Sequence, residues 1–399
     1  MSDIDPADLV VVNLPASRTS LRVAVVTETY PPEVNGVALT LARLVEGLRE
    51  AHHDVQLIRP RQTGADGVSR MHSGFEEVLM RGVPIPRYPD LRMGLPAKSA
   101  LVRQWQLRRP DVVHIATEGP LGWSALRAAM YLKLPVSSDF RTNFHAYSRH
   151  YGVGFLYRPI MAYLRKFHNR TACTMVPTRA LAVELSRAGF QRLHVVPRGV
   201  DTEGFDPAYR SARLRAQWGV AENDPVVLGV GRLAAEKNWP LLLQAFSAIE
   251  RQRPSARLVV VGAGPLQAAL QQSCPRALFA GQLKGRMLAE HYASADLFLL
   301  PSQTETFGNV TVEAMASALP VVAFDHAAAA EFIQDGVNGR VAPLGEPDRF
   351  MAAACELAGQ PQVGRRLGQA ARQTAMGLRW PHIVSQFEAV LMDVVSQTR

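Results

Sequence analysis

Short apolar runs alternate along the chain with longer segments in which apolar residues recur every three or four positions. Residues 21–26 form a β-branched run that ends at a polar loop, and residues 37–50 then follow a helical period. Short apolar runs bounded by turn residues predict buried strands, and the longer period predicts amphipathic helices. The first unit is therefore predicted as strand, loop and helix.

The same alternation continues in two series. The first predicts strands at 21–26, 54–59, 112–116, 135–139 and 172–176, with helices at 37–50, 121–133 and 180–188. The second predicts strands at 226–230, 257–261, 277–279, 297–300 and 320–324, with a last helix over 380–395. Strands that alternate with helices predict parallel sheets covered on both faces. The predicted fold class is α/β, with two Rossmann-like doubly wound domains that face each other across a cleft and join near residues 197–206.

Composition agrees with two folded domains and narrows the protein class. The chain has 399 residues, of which 47% are hydrophobic and 20% charged, and this length and composition are typical of α/β proteins. Its three cysteines are widely spaced, which excludes a disulfide framework or a metal knuckle and favours a cytoplasmic location. The leader over residues 1–20 is acidic and predicted to be flexible, and no apolar run reaches the roughly 20 residues of a spanning helix.

Charge is distributed unevenly between the two halves. Residues 1–200 contain 26 Lys and Arg against 16 Asp and Glu, whereas residues 201–399 contain 18 against 19. A basic first half suits an anionic lipid surface, a phosphate-bearing acceptor or nucleic acid. An arginine-rich face without a partner is the alternative. A nucleic-acid-binding protein would rest on the pI of 9.8 alone, since no recognition fold supports it.

The segment PSQTETFGNVTVEAMASALPVVA, residues 301–323, carries the most informative chemistry. It follows an apolar strand, and a helix is predicted to open near Phe307. A helix N-terminus with free N–H groups favours a diphosphate. Glu305 in the loop and Glu313 two turns into the helix could accept hydrogen bonds from sugar and ribose hydroxyls. A strand followed by a helix with solvated glutamates is the alternative.

Two further loops of the second half follow strands. In the first, Gly231 allows close approach of the backbone, while Arg232 and Lys237 offer a guanidinium fork and a point charge for phosphate oxygens. In the second, Gly262 belongs to a turn that lacks the third glycine of the dinucleotide fingerprint, which argues against a dehydrogenase.

In the first half, the loop before the first helix places Asn35 and Gly36 where a phosphate could lie, although a plain turn explains them equally well. The loop after the strand at 135–139 concentrates polar candidates for the cleft, namely Asp139, Arg141, Thr142, Asn143 and His145. No spacing of histidines or carboxylates indicates a metal site, so no metal or other cofactor is expected.

Residues 149–170 combine five Lys and Arg with aromatic residues and contain no acid. Such an amphipathic stretch suits the interface of an anionic bilayer, with Pro159 expected to divide it. A core helix with a basic outer edge fits equally well.

Together these motifs resemble glycosyltransferase family 4, whose members are retaining enzymes with the two-domain GT-B fold. The resemblance rests on YPPEVNG (30–36), GRLAAEK (231–237) and the Glu-x7-Glu pair within 301–323, and it covers nearly the whole chain. Within the family the chain is most similar to enzymes that glycosylate membrane glycerolipids, such as sulfoquinovosyl-diacylglycerol synthases and lipid mannosyl- or glucosyltransferases.

The resemblance implies domains and roles. Residues 21–197 would bind the acceptor, residues 198–375 the nucleotide sugar, and residues 376–399 would form a helix crossing back to the first domain. Arg232 and Lys237 would hold the diphosphate and Glu313 the ribose. The donor sugar and β-phosphate would contact Glu305 with the backbone of Thr306, Phe307, Gly308 and Asn309, while Gly36 would lie near the phosphates and Leu283 near the base. The implied reaction is front-face displacement without a metal.

One departure affects the first domain. Many relatives carry a Phe-His-Thr triplet where this chain has Phe140-Arg141-Thr142, and the nearest histidine is His145. Either His145 or Arg141 could take the role beside the sugar, and Arg141 could instead bind an acidic group.

The expected partners are a UDP- or GDP-sugar and a lipid acceptor at an anionic membrane surface, which would make the protein peripheral on the inner face of the cytoplasmic membrane. No nucleic acid and no obligate protein partner are expected. Transfer to a soluble, polysaccharide or lipopolysaccharide acceptor is the main alternative. A nucleotide-sugar epimerase would release an isomerised sugar without an acceptor, and a binding module would not require the full set of charged residues.

Overall fold

The computed structural model of the protein describes residues 20–33, 35–62, 71–72, 74–85, 88–141 and 157–398. Two parallel sheets dominate this part of the chain, and a small hairpin lies beside the first of them. The strands are β1 Arg22–Val26, β2 Asp54–Pro60, β3 Met71–His72, β4 Phe75–Met80, β5 Gly82–Ile85, β6 Tyr88–Gly94, β7 Val112–Ile115, β8 Val136–Asp139, β9 Cys173–Val176, β10 Leu193–Val195, β11 Val226–Val230, β12 Arg257–Val261, β13 Leu278–Gly281, β14 Leu297–Leu300, β15 Val321–Phe324 and β16 Arg340–Ala342.

Helices connect most of these strands. They are α1 Gly36–Glu50, α2 Lys98–Leu107, α3 Pro120–Tyr131, α4 Tyr157–His168, α5 Arg179–Arg187, α6 Ala212–Gln217, α7 Trp239–Gln252, α8 Gln267–Ser273, α9 Gly285–Ser294, α10 Asn309–Ala316, α11 Ala327–Phe332, α12 Pro347–Gly359, α13 Pro361–Met376 and α14 Trp380–Ser396. Short 3-10 turns occupy Pro207–Tyr209 and Ala235–Lys237.

The strand order places a crevice at the same point of each sheet. The first sheet runs β10-β9-β8-β7-β1-β2-β4-β3 and the second β13-β12-β11-β14-β15-β16, with every pairing parallel except that of β3 with β4. Each order reverses beside its first strand, β1 in one sheet and β11 in the other. Ligands of such sheets bind outside the carboxyl ends of the strands at this reversal. The α/β prediction with two doubly wound sheets is confirmed.

The predicted strands follow from burial on both faces. The positions of β7, β11 and β14 are all buried, as expected for parallel strands covered by helices on both sides. The hairpin β5–β6 was not predicted, because its sequence GVPIPRYPDLRMG has neither a long apolar run nor a clean alternation. Pro84 in such a hairpin suits its position outside the two main sheets.

The last helix, α14, packs on helix α1 of the first domain. His53 connects α14 to the segment before β1. Its Nδ1 accepts a hydrogen bond from the Leu21 amide at 2.9 Å, and its Nε2 lies 3.0 Å from the Glu388 carboxylate of α14. A ring whose Nδ1 accepts must carry its proton on Nε2, so neutral His53 donates to the Glu388 carboxylate. Helix α14 therefore crosses back to the first domain.

The chain passes between the two domains twice, and the two passes contact each other. Val200 lies on the first pass, after β10, and Leu378 lies on the second pass, before α14. The Val200 amide donates to the Leu378 carbonyl at 2.9 Å. Both crossings therefore form one paired connection rather than two separate linkers.

Among the helices of the described residues, none is both long and apolar enough to cross a bilayer.

Candidate functional site

The loop after β11 presents the basic residues predicted for a phosphate site. Arg232 pairs with Glu236, one turn later, and its backbone carbonyl accepts from the Trp239 indole at 2.9 Å. Lys237 ends the 3-10 turn and reaches across to Glu305 in the loop after β14, with 2.5 Å between Nζ and Oε1. The structure thus brings Lys237 and Glu305 together although 68 residues separate them.

Glycines allow the loops of the second domain to pack closely. Gly262 has φ +143°, and a Cβ at this position would lie 1.9 Å from the carbonyl oxygen of Gly231. No side chain fits there, so the loops after β11 and β12 require glycine at this contact. Leu283, predicted near the base, lies half-buried after β13 and packs against the core.

Helix α10 begins two residues later than predicted. Gly308 is its N-cap with φ +92°, and Asn309 is its first residue. The reason is Phe307, which is buried and whose carbonyl accepts from the Ala328 amide at 2.7 Å, so its backbone belongs to the loop. The prediction that the helix opens near Phe307 is corrected to Asn309. Thr306, half-buried, lies in the same loop between Glu305 and Phe307.

Glu313 lies in α10 with its carboxylate in a desolvated position. Burial raises the pKa of Glu313 to about 7, and the hydrogen bond that the Tyr292 hydroxyl donates to it, 3.0 Å long, opposes this rise. Burial and the neighbouring carboxylate also raise the pKa of Tyr292 well above its usual value. Glu313 is therefore a poorly solvated acceptor that gains from additional hydroxyl donors.

The first domain contributes the start of α1 to the opposite wall. Asn35 caps this helix, since its Oδ1 accepts from the amides of Val37 and Ala38 at 3.0 and 2.9 Å. At Gly36 a Cβ would lie 3.2 Å from Arg198 Nη1 and 3.5 Å from the Asn309 side chain. The N-terminus of α1 therefore faces the N-terminus of α10 across a narrow gap.

Arg141 is held by a buried carboxylate at the end of β8. Asp139 pairs with Arg141, and its Oδ2 also lies 3.0 Å from Nε2 of His114. Burial opposes the charge of Asp139, but Arg141 and His114 outweigh it and lower the pKa of Asp139 to about 2. Thr142, Asn143 and His145, also predicted for this cleft, lie outside the described residues.

Two residues in the site were missed by sequence reasoning. Arg198 is buried between the domains and contacts Asn309 and the carbonyl of Arg141, whereas the sequence predicts only a domain junction for this segment. His326 follows β15, and its half-buried ring lies near Glu305 and Lys237; burial lowers its pKa. A polar residue two positions after the end of a buried strand was the available signal for His326.

The arrangement can bind an anion and hydroxyl groups together. Arg232, Lys237 and Arg198 supply positive charge, the first turn of α10 supplies its dipole, and Glu305 and Glu313 supply acceptors. Within the described ranges, no group of His, Cys, Asp and Glu could hold a metal ion. The residues present suit a phosphorylated sugar or nucleotide.

Comparison with known proteins agrees with this chemistry. A family model described as Glycosyltransferase Family 4 matches residues 34–204, and one described as Glycosyl transferases group 1 matches residues 224–360. The chain is 34% identical over 378 residues to a GDP-mannose-dependent alpha-mannosyltransferase of Mycobacterium tuberculosis, covering 93% of this chain and 97% of that protein.

A more distant relative and a solved structure extend the comparison. An alpha-monoglucosyldiacylglycerol synthase of Streptococcus pneumoniae is 27% identical over 335 residues, covering 80% of this chain and 74% of that protein. The structure of a sucrose-phosphate synthase from Thermosynechococcus elongatus superposes with a TM-score of 0.76 at 19% identity, covering 94% of this chain and all of that one. This last likeness supports the GT-B fold.

Proposed function

The chain belongs to glycosyltransferase family 4, and we propose on this basis that it transfers a hexose with retention from a nucleotide-diphosphate sugar to a membrane glycerolipid. That it is a glycosyltransferase using nucleotide sugars follows from the family and its relatives. The donor, the acceptor, the stereochemistry and the residue roles are the proposal.

One observation carries the proposal most strongly. The Lys237–Glu305 pair and the start of α10 lie at the carboxyl ends of β11 and β14, at the reversal of strand order, and Asn309 at the start of α10 faces Gly36 of the first domain. A diphosphate there would contact a cation and a helix N-terminus together. The sugar attached to it would lie between the two domains.

The charged residues suggest how the donor would be cleaved. The bond between sugar C1 and the β-phosphate oxygen breaks, and its electrons remain on the phosphate, where Arg232, Lys237 and the α10 dipole stabilise the charge. The acceptor hydroxyl oxygen forms its bond to C1 on the same face, and its proton passes to the departing phosphate oxygen. Glu305 holds the sugar hydroxyls and Glu313 the ribose. No divalent metal is required.

GDP-mannose is the first donor to test, because the mannosyltransferase relative that spans almost the whole chain depends on it. UDP-sugars remain the alternative. Backbone groups are expected to recognise the base, so the identities of the side chains do not distinguish GDP-sugars from UDP-sugars.

The outer face of α4 supports a lipid acceptor. Met161 and Leu164 of this helix are buried, whereas Arg158, Tyr163 and Lys166 are exposed. The helix contains Pro159 in its first turn, where proline is tolerated. Residues 149–156 of the same basic stretch lie outside the described residues. Cationic and aromatic side chains on one exposed face suit an anionic bilayer.

The donor and acceptor are tested together in one assay. Purified protein is incubated with GDP-mannose or UDP-glucose and vesicles of diacylglycerol and phosphatidylglycerol, with EDTA present. The proposal predicts thermal stabilisation by one nucleotide sugar and a new glycolipid whose α-anomeric linkage is read by NMR. A β-linkage would contradict retention, and stabilisation without glycolipid would favour a soluble or polysaccharide acceptor.

Membrane docking is tested by charge reversal on α4. The double variant Arg158→Glu, Lys166→Glu is expected to lose binding to anionic vesicles while keeping its nucleotide affinity. Arg165 is left intact, because it donates to the Ala188 carbonyl at 2.8 Å. The matched control Arg213→Glu, Arg366→Glu makes the same charge change at exposed positions of the second domain. Equal vesicle binding by both variants would contradict docking through α4.

A further inference from the structure

Arg198 has weaker hydrogen bonding than its burial requires. Its side chain lies between the domains, and the residue is 6% exposed. Nη1 lies 3.5 Å from the Asn309 side-chain oxygen and Nη2 lies 3.4 Å from the Arg141 carbonyl, both at the long limit of a hydrogen bond. Its buried Nε has no hydrogen-bond partner among the described residues. A buried guanidinium in this state lacks part of its solvation.

The neighbouring cations of the cleft each have a carboxylate, as shown by the pairs Arg232–Glu236, Lys237–Glu305 and Arg141–Asp139. Arg198 forms no ion pair with any residue that the structure describes. Burial and the charge of Arg141 lower the pKa of Arg198 to about 9, and Asp139 and Glu305 oppose this only in part. Among the described residues of the cleft, Arg198 is therefore a buried positive charge without a paired anion.

A second buried arginine, Arg215, provides a comparison for the hydrogen bonds of Arg198. Arg215, 1% exposed, donates to the carbonyls of Ser294 and Ala221 and to the carboxylate of Asp296 at 2.8 to 2.9 Å. It lies at the amino ends of the second sheet's strands, away from the cleft. The Nε of Arg215 also has no hydrogen-bond partner among the described residues, so the contrast lies in the Nη contacts, which are short for Arg215 and long for Arg198. Burial alone therefore does not explain the geometry of Arg198.

We propose that Arg198 binds a phosphate oxyanion of the substrate in the gap between Gly36 and the start of α10. The absence of a side chain at Gly36 leaves room beside Nη1, and the first turn of α10 contributes its N–H groups and dipole to the same anion. This inference rests on the proposed function, because it adds a third cation to the donor site beyond Arg232 and Lys237.

Two substrate groups share this chemistry, the β-phosphate of the nucleotide donor and the phosphate of an anionic lipid acceptor. Asn309 belongs to the second domain and Arg141 to the first, so an anion bound beside Arg198 would lie against groups from both walls of the cleft.

The test uses Arg198→Gln and Arg198→Lys in the full chain, with GDP, GMP, UDP and UMP as calorimetric probes. If the donor supplies the phosphate, Arg198→Gln lowers the affinity for the diphosphate that the wild type binds by about tenfold or more. The affinity for the corresponding monophosphate changes by less than twofold. If the acceptor supplies it, nucleotide affinities stay unchanged and the KM for phosphatidylglycerol rises at least fivefold, while that for diacylglycerol does not.

Controls separate this role from a structural one. Arg215→Lys is expected to lower the melting temperature while keeping the ratio of diphosphate to monophosphate affinity. Arg198→Lys keeps the positive charge and replaces Arg198→Gln as the test if Arg198→Gln does not fold. It is expected to show a smaller loss of diphosphate affinity, or a smaller rise in the KM for phosphatidylglycerol. Unchanged values in both readouts, or equal losses for monophosphate and diphosphate, would overturn the Arg198 site. Wild-type protein that binds neither nucleotide would contradict the proposed function instead.

Discussion

Replacing Glu313 by Gln is expected to stabilise the protein and to weaken nucleotide binding at the same time. The carboxylate is desolvated in the folded chain, where burial raises its pKa from 4.5 to about 7. Its removal relieves this cost. The proposed ribose hydroxyls, however, would lose their charged acceptor. A residue with only a structural role would not show opposite effects in these two measurements.

The magnitude and sign follow from the pKa. A rise from 4.5 to about 7 corresponds to at most about 3 kcal/mol, and partial exposure of Glu313 makes this an upper bound. Below pH 4.5 both folded and unfolded chains are protonated, so the stabilising contribution of the protonated group is fully present. As pH rises towards 7 the unfolded chain releases the proton first, and stability is lost until the folded group also ionises.

Thermal unfolding and calorimetry with GDP and UDP measure both effects. Glu313→Gln is expected to melt near the wild type at pH 5 and several degrees above it at pH 8. Its nucleotide affinity at pH 8 is expected to fall about tenfold or more, as for loss of a hydrogen bond to a charged group. The wild-type affinity should rise through pH 7 as Glu313 ionises, and the variant should lack this component.

The matched control is Glu290→Gln on helix α9, which removes a surface pair with Arg286. It is expected to change neither property, because exposed pairs contribute little. A parallel loss of stability and affinity in Glu313→Gln would assign Glu313 to packing alone. Unchanged nucleotide affinity would show that Glu313 does not bind the ribose.

Three further substitutions test the site and its supports. Gly262→Ala places a Cβ 1.9 Å from a backbone oxygen, so thermal unfolding is expected to show a loss of about 1–3 kcal/mol, and a wild-type melting curve would contradict the close packing of the loops. Lys237→Met removes a phosphate contact and is expected to lower kcat about 10²–10³-fold at saturating donor; a change below threefold would exclude the proposed charge stabilisation. His53→Ala removes two buried hydrogen bonds and is expected to lower the urea midpoint by an amount equivalent to about 2–4 kcal/mol, whereas an unchanged midpoint would mean that this clamp on α14 is dispensable.

Most of the two sheets could be predicted because parallel strands are apolar on both faces. The strands at 226–230, 257–261 and 297–300 begin and end where the pattern predicted. The hairpin β5–β6 could not be predicted, because its pairing does not depend on an apolar core face. The start of α10 also depends on tertiary structure, since the burial of Phe307 keeps two residues in the loop.

The loops of the candidate site could each be predicted from the sequence, but the ion pairs between loops could not. Glu305 and Lys237 were singled out separately, and only the fold shows that they contact each other. Arg198 escaped detection because its neighbours resemble an ordinary connection between domains. Its position between Asn309 and Arg141 depends on how the two sheets face each other, and no local pattern reports that.

The paired crossings at Val200 and Leu378 have a consequence for the order in which the chain folds during synthesis. In chain topology the second domain is an insertion within the first, because α14 returns to helix α1 after the second sheet is complete. The ribosome therefore releases the described strands of the first sheet before the second domain, and α14 only after it. Until α14 emerges, the face of α1 at Gly47 that packs against Val384 stays uncovered, so the second domain can complete its core before the first one does.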